Sequence, residues 1–218
     1  MKKGSLVLVL LVCILVSAFA EKKTVTGSFL MFDQSFYQDY EYDDGYFFND
    51  PTQYNHDLAR LTLGLALAAS RKTTEPQAQD ADLIDFFRNM GFENIDSQTY
   101  RTEPTADSIG YGLAMKKTGG STLLACAICG GGYGLEWASN LTVGDSVRSD
   151  GFNDASLKVQ AAIIDYLKEN NISGSVKLWI TGYSRAGAVS NITAADLTDS
   201  GISYKLIGGL LKFLAPLF

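Results

Sequence analysis

Trp179-Ile180-Thr181-Gly182-Tyr183-Ser184-Arg185-Ala186-Gly187-Ala188-Val189 is the stretch on which the reading of this chain turns. An apolar run over Val176–Thr181 stops at a glycine, a serine stands at the apex of the expected turn, and small residues lead into a helix expected from Arg185 to about Thr198. A buried strand passing straight into a helix is a unit of α/β architecture. The turn has a chemical reading as well. A serine on a sharp strand-to-helix turn holds a strained backbone and tolerates only small neighbours. Gly182 lies two residues before Ser184, and Ala186 and Gly187 lie two and three after it. Ser184 is therefore a candidate nucleophile. The backbone N–H of Arg185, at the positive end of the helix, is a candidate donor to an oxyanion. The plain structural alternative is a Ser/Gly turn without catalysis.

Upstream, Ile109–Met115 and Leu123–Ile128 read as strands joined through Gly119-Gly120, a link short enough to make them an antiparallel hairpin. Gly130-Gly131-Gly132-Tyr133-Gly134 follows, and Gly131 is the candidate for a second oxyanion N–H. These glycines match neither a P-loop nor a dinucleotide fingerprint, and a flexible turn is the alternative. Asn153 is placed to cap a helix over Asp154–Asn170 that presents Leu157, Ala161, Ile164 and Leu167 to the core. Asn55–Ser70 and Ala81–Met90, the latter ended by Gly91, are two further helices, with Pro76–Asp80 as a link between them. Thr24–Phe32 suggests a first strand. Residues 33–53 carry the spacing Asp39, Glu41, Asp43, Asp44, which misses a calcium-loop pattern, and the segment reads as a solvated aromatic loop.

The start of the chain reads as a targeting segment. Lys2 and Lys3 precede an apolar stretch over Leu6–Val16 and the small-x-small site Ala18-Phe19-Ala20, so residues 1–20 resemble a cleaved secretory signal and residues 21–218 one secreted domain. The apolar stretch is shorter than the roughly 20 residues that span a bilayer. The net charge of −6 becomes more negative without the two leader lysines, which argues against a nucleic-acid partner but not against a lipid substrate met through apolar surface. Cys126 and Cys129 stand three apart along a strand, so they are expected to be buried on opposite faces rather than paired. No metal or organic cofactor is implied.

Thr181-Gly182-Tyr183-Ser184-Arg185-Ala186-Gly187-Ala188 resembles the nucleophile elbow of the class 3 (fungal-type) lipase family. Ala127-Ile128-Cys129-Gly130-Gly131 is similar to that family's strand ending in an oxyanion motif. Two positions depart from the family pattern: Ala186 stands where glycine is usual, and Cys129 where arginine is common. The resemblance covers about residues 109–198 and looks like bacterial secreted members. It implies an α/β-hydrolase fold, a mixed sheet flanked by helices, and hydrolysis of carboxylic esters such as acylglycerols. It also implies an acyl ester or lipid substrate and transient contact with a lipid interface. Tyr133–Phe152 falls where the family places its lid, with Trp137 as a lid contact or a buried anchor.

The family's order of Ser, Asp and His is not met. Residues 185–218 contain no histidine, and the carboxylates there, Asp196 and Asp199, lie on or just beyond the helix that follows the serine. The sole histidine, His56, is far upstream and is expected to cap or pack the first helix. The apolar finish over residues 208–218 reads as a chain cut inside its core, so the domain is expected to be partial at the C-terminus, without the triad Asp and His. Two other functional classes stand beside this reading. One is a non-catalytic secreted binding protein on a hydrolase scaffold, using the aromatics from Phe36 to Phe48 as its contact surface. The other is a different acyl-transfer enzyme, a thioesterase or peptidase.

Overall fold

The computed structural model describes residues 22–31, 34–70, 80–101, 108–130, 141–142, 144, 148–199 and 204–206. The expected signal segment, the Pro76–Gln79 part of the link, Gly131–Gly134, Trp137 and the apolar finish lie outside these residues. The elements are β1 (Lys23–Met31), β2 (Gln34–Tyr42), α1 (His56–Ala68), α2 (Ala81–Met90), β3 (Glu93–Asp96), β4 (Tyr111–Thr118), β5 (Ser121–Ile128), α3 (Asp150–Glu169), β6 (Val176–Gly182), α4 (Arg185–Asp199) and β7 (Tyr204–Leu206). They form a mixed α/β structure. β3–β7 make one five-stranded sheet in sequential order, antiparallel from β3 to β5 and parallel from β5 to β7. β1 and β2 form a separate antiparallel ribbon.

The mixed character follows from the connections. Gly119 and Gly120 both take positive φ, 54° and 76°, the left-handed pair that a two-residue hairpin turn requires, so β4 and β5 are antiparallel as expected. β5 and β6 are joined through α3, and a crossover of that length returns the chain parallel. Side chains alternate across β5. Leu123, Ala125, Ala127 and Cys129 face the core shared with α1, α2, β1 and β2, while Leu124, Cys126 and Ile128 face α3 and α4. Cys126 and Cys129 are accordingly free, buried and on opposite sides of the sheet. Burial pushes the Cys126 thiol well above its usual range.

Trp179 anchors the α1 side. It is fully buried, 5.0 Å from the Phe47 ring and 6.2 Å from Phe92, and its indole N–H donates to Thr62 Oγ1 at 3.1 Å. α1 starts as expected, with Asn55 Oδ1 accepting the Leu58 N–H at 3.0 Å, and it buries Leu58, Leu61 and Leu65. α2 ends on Gly91 at φ 85°. Among the described residues no helix is long and apolar enough to cross a membrane.

Three expectations are corrected. Residues 34–42 are a strand, followed by a 3-10 turn at Asp44–Phe48, and not a solvated loop. Tyr40 and Tyr42, at alternate positions of the strand, are buried, the Tyr40 ring against Phe86 of α2 and the Tyr42 ring against Phe47, and Tyr46 and Phe47 of the 3-10 turn are buried as well. The acidic residues there are committed within the fold. Asp39 accepts from Thr26, Glu41 pairs with Lys22, Asp43 caps the 3-10 turn, and buried Asp44 pairs with Lys116 at 2.9 Å. Second, α3 begins at Asp150 after Ser149, so Asn153 lies inside the helix instead of capping it. Third, α3 buries Ala155, Val159, Ile163 and Tyr166, while Leu157 is 52% exposed and Ala161 faces solvent. β3 and β7, for which the sequence offered no pattern, complete the sheet.

Candidate active site

β6 is buried along its whole length and ends at Gly182, leaving Tyr183 and Ser184 exposed before α4 begins at Arg185. Ser184 has φ +58°, a left-handed backbone that costs an L-residue roughly 1–2 kcal/mol. The turn is closed by Ala186 N–H donating to the Tyr183 carbonyl at 3.2 Å and Gly187 N–H donating to the Ser184 carbonyl at 2.9 Å. No side-chain hydrogen bond to Ser184 Oγ is formed by another described residue.

The small residues have a steric cause. A Cβ on Gly182 would fall 2.6 Å from the Ala186 methyl and from its carbonyl carbon, so glycine is required there. The same contact explains why alanine is accommodated at 186. Its methyl, fully buried, fills the room that Gly182 leaves. Arg185 occupies the first helical position, where backbone N–H groups point out of the helix N-terminus, and its side chain is buried.

The end of β5 is brought against this turn. Ile128 pairs with Gly182 in register, and a Cβ on Gly130 would fall 2.2 Å from the Tyr183 carbonyl oxygen. The glycine run thus begins in contact with the elbow. The Gly130 N–H is itself taken by Ser70 Oγ at 3.1 Å, and that hydroxyl donates to the Ala66 carbonyl at 2.9 Å. Gly131, the candidate second donor, is the next residue and lies outside the described residues. Ser70 is the component that sequence reasoning missed. It sits just past the end of α1 with no motif around it, and only the tertiary packing brings it to β5.

Among the described residues, no histidine or carboxylate is placed at Ser184. His56 is exposed at the first position of α1, its Nδ1 2.9 Å from the Tyr54 hydroxyl. The opposite end of α1, through Ser70, is the end that touches Gly130. At 1.5 Å per residue that places His56 about 20 Å along the helix from the elbow. Asp196 lies on α4 and is held by Arg148 and by Gln160 Nε2 at 2.9 Å, bonds that tie α4 to the entry of α3 and to its third turn. Asp199 is exposed at the end of α4. Among the described residues no group of His, Cys, Asp and Glu is arranged to hold a metal.

No protein-family model and no curated protein sequence matches this chain. The chain is similar to a solved structure of a triacylglycerol lipase whose catalytic centre is a serine-protease triad. The two are 17% identical with a TM-score of 0.43, over 68% of this chain and 57% of that one. The chain thus spans less than two thirds of that lipase's length.

Proposed function

We propose that this chain carries a lipase-like serine hydrolase site on an α/β-hydrolase scaffold of the class 3 kind, acting on carboxylic esters through Ser184. The observation that carries the proposal is the left-handed backbone of Ser184 at the end of a fully buried strand and at the mouth of α4. A turn that needed no exposed hydroxyl would place glycine at such a φ. In the proposed reaction Ser184 Oγ attacks the ester carbonyl, the bond to the leaving alcohol breaks, and water releases the acyl group from the serine. The backbone N–H groups of Arg185 and Gly131 are the proposed oxyanion donors. Residues 1–20 are proposed as a secretion signal, with secretion checked by whether the exported protein begins at Glu21.

One observation favours a second reading, a non-catalytic binding protein on the same scaffold. The only histidine of the sequence is at the far end of α1, and without a base the hydroxyl stays protonated. A fluorophosphonate probe decides between the two. Covalent labelling of the full chain that is lost in Ser184→Ala establishes an activated serine, and retention of that labelling in a His56→Ala variant excludes His56 as its base. A folded chain that takes no label refutes the hydrolase reading.

A further inference from the structure

At the N-terminal end of α1 the chain encloses a cavity of about 20 Å³ between the 3-10 turn and the turn that leads into the helix. Tyr46 and Leu58 are buried and form its walls, whereas Asn49, Asp50, Pro51 and Gln53 are exposed and form its rim. The rim is held by its own hydrogen bonds. Asp50 Oδ1 accepts from the Thr52 N–H at 2.9 Å and from the Thr52 hydroxyl at 2.8 Å. The Gln53 N–H donates to the Asp50 carbonyl at 3.1 Å, and Asn55 Oδ1 caps α1. Pro51 fixes one backbone angle of the same turn.

Two observations mark this cavity as a place for a ligand. The Tyr46 hydroxyl is buried, and no described residue forms a hydrogen bond to it. A buried hydroxyl without a partner is a cost to the fold that a bound molecule can offset. The side-chain amides of Asn49 and Gln53 likewise make no hydrogen bond to a described residue, and each carries a donor and an acceptor. The cavity is remote from the elbow. Asn55 precedes α1, and it is Ser70, past the other end of that helix, that touches Gly130, a separation of about 20 Å along the helix.

The lining selects the ligand. The charges that bear on Tyr46 are those of Asp57, Glu41 and Asp43 against Lys22 alone, a surrounding that repels phosphate and carboxylate groups. A metal ion finds no ligand set, since among the described residues no group of His, Cys, Asp and Glu is arranged to hold one. A neutral molecule bearing hydroxyls fits. A hydroxyl both donates and accepts, as an Asn or Gln amide does, while Tyr46, Pro51 and Leu58 supply apolar surface for C–H groups. A volume of about 20 Å³ takes one group of about the size of a water molecule, not a whole ring. A hexopyranose has such a group in its exocyclic hydroxymethyl, and its ring carries the remaining hydroxyls across the rim.

We propose that this cavity is a binding subsite for a neutral hexopyranoside, whose hydroxymethyl group enters beside Tyr46 while its ring hydroxyls bond to Asn49 and Gln53. The subsite rests on neither reading of Ser184, and Ser184→Ala is expected to leave it unchanged. The test is saturation-transfer NMR on the full chain with the methyl pyranosides of glucose, mannose and galactose. At least one of them is expected to bind, with a dissociation constant in the millimolar range that suits so small a contact. The analogue of that sugar with a methyl in place of the hydroxymethyl is expected to bind at least about tenfold more weakly. Asn49→Ala/Gln53→Ala, at two exposed positions, is expected to lower affinity by about tenfold, with circular dichroism unchanged. Absence of transfer to all three sugars overturns the proposal. So does equal binding of the methyl analogue, or undiminished binding by the double variant. Displacement of the sugar by inorganic phosphate or by calcium would make an ion the occupant and overturn it as well.

Discussion

Strain at Ser184 and crowding at Gly182 are the two residue-scale facts on which the site rests. A hydroxyl-bearing residue at φ +58° spends stability that glycine would keep, so Ser184→Gly is expected to be more stable than Ser184→Ala by about 1 kcal/mol in urea unfolding. Equal stability of the two would remove the argument from strain. At Gly182 the contact is steric. Gly182→Ala is expected to cost about 1–3 kcal/mol, and adding Ala186→Gly should return part of that loss, because the two methyl groups compete for one space. Additive effects in the double variant would mean the residues do not meet. Ser70 acts at one remove as a positioning residue, holding the Gly130 N–H beside the Tyr183 carbonyl. Ser70→Ala is expected to lower stability by about 1 kcal/mol. It should also slow fluorophosphonate labelling by more than that stability loss explains, with Ser70→Thr restoring the rate.

At the scale of elements, α3 is the instructive case. Its sequence carries two apolar stripes on opposite sides, Leu157, Ala161 and Ile164 on one and Ala155, Val159 and Ile163 on the other. Helical spacing supports both equally. The packed stripe is the one beside Ser156, whose buried hydroxyl lies 3.0 Å from Thr193 Oγ1 on α4, and the small Ala155 lets the helix approach the buried layer closely. Ile163→Ala is thus expected to cost about 2–5 kcal/mol and Leu157→Ala less than about 0.5, as read from thermal or urea melts. The reverse order would show that α3 is rotated. β2 teaches the same lesson in a strand. Its acidic residues suggest solvent, and the alternation of Tyr40 and Tyr42 with Glu41 signals that one face is buried.

Across the whole molecule, tyrosines tie the layers together and make stability sensitive to alkali. The Tyr42 hydroxyl donates to buried Asp44, Tyr100 donates to the Ala69 carbonyl at 2.8 Å, and Tyr166 donates to the Asn94 carbonyl at 2.6 Å. Burial, helped by the Asp96 carboxylate, pushes Tyr111 up to about 12, and burial also raises Tyr42 and Tyr166. The sign follows from proton binding. Between about pH 10, where an unfolded tyrosine ionises, and about 12, the folded state binds more protons than the unfolded one, so stability falls as pH rises. Tyrosinate absorbance from these residues is expected to appear together with the loss of circular dichroism. Their ionisation in a chain that keeps its fold would contradict the burial.

The sequence by itself determined what depends on neighbours in the chain. The strand–Gly–x–Ser–helix unit, the Gly119-Gly120 hairpin, the Asn55 cap and the Gly91 stop are local backbone requirements, and a short window of residues specifies them. Opposite faces for Cys126 and Cys129 follow equally from strand alternation. Only the tertiary structure decided which side of α3 is buried, that residues 34–42 pair with β1 into a ribbon, and that Ser70 is the residue joining α1 to Gly130. Those outcomes compare contacts between segments distant in sequence, and periodicity within one segment is blind to the energy of such contacts.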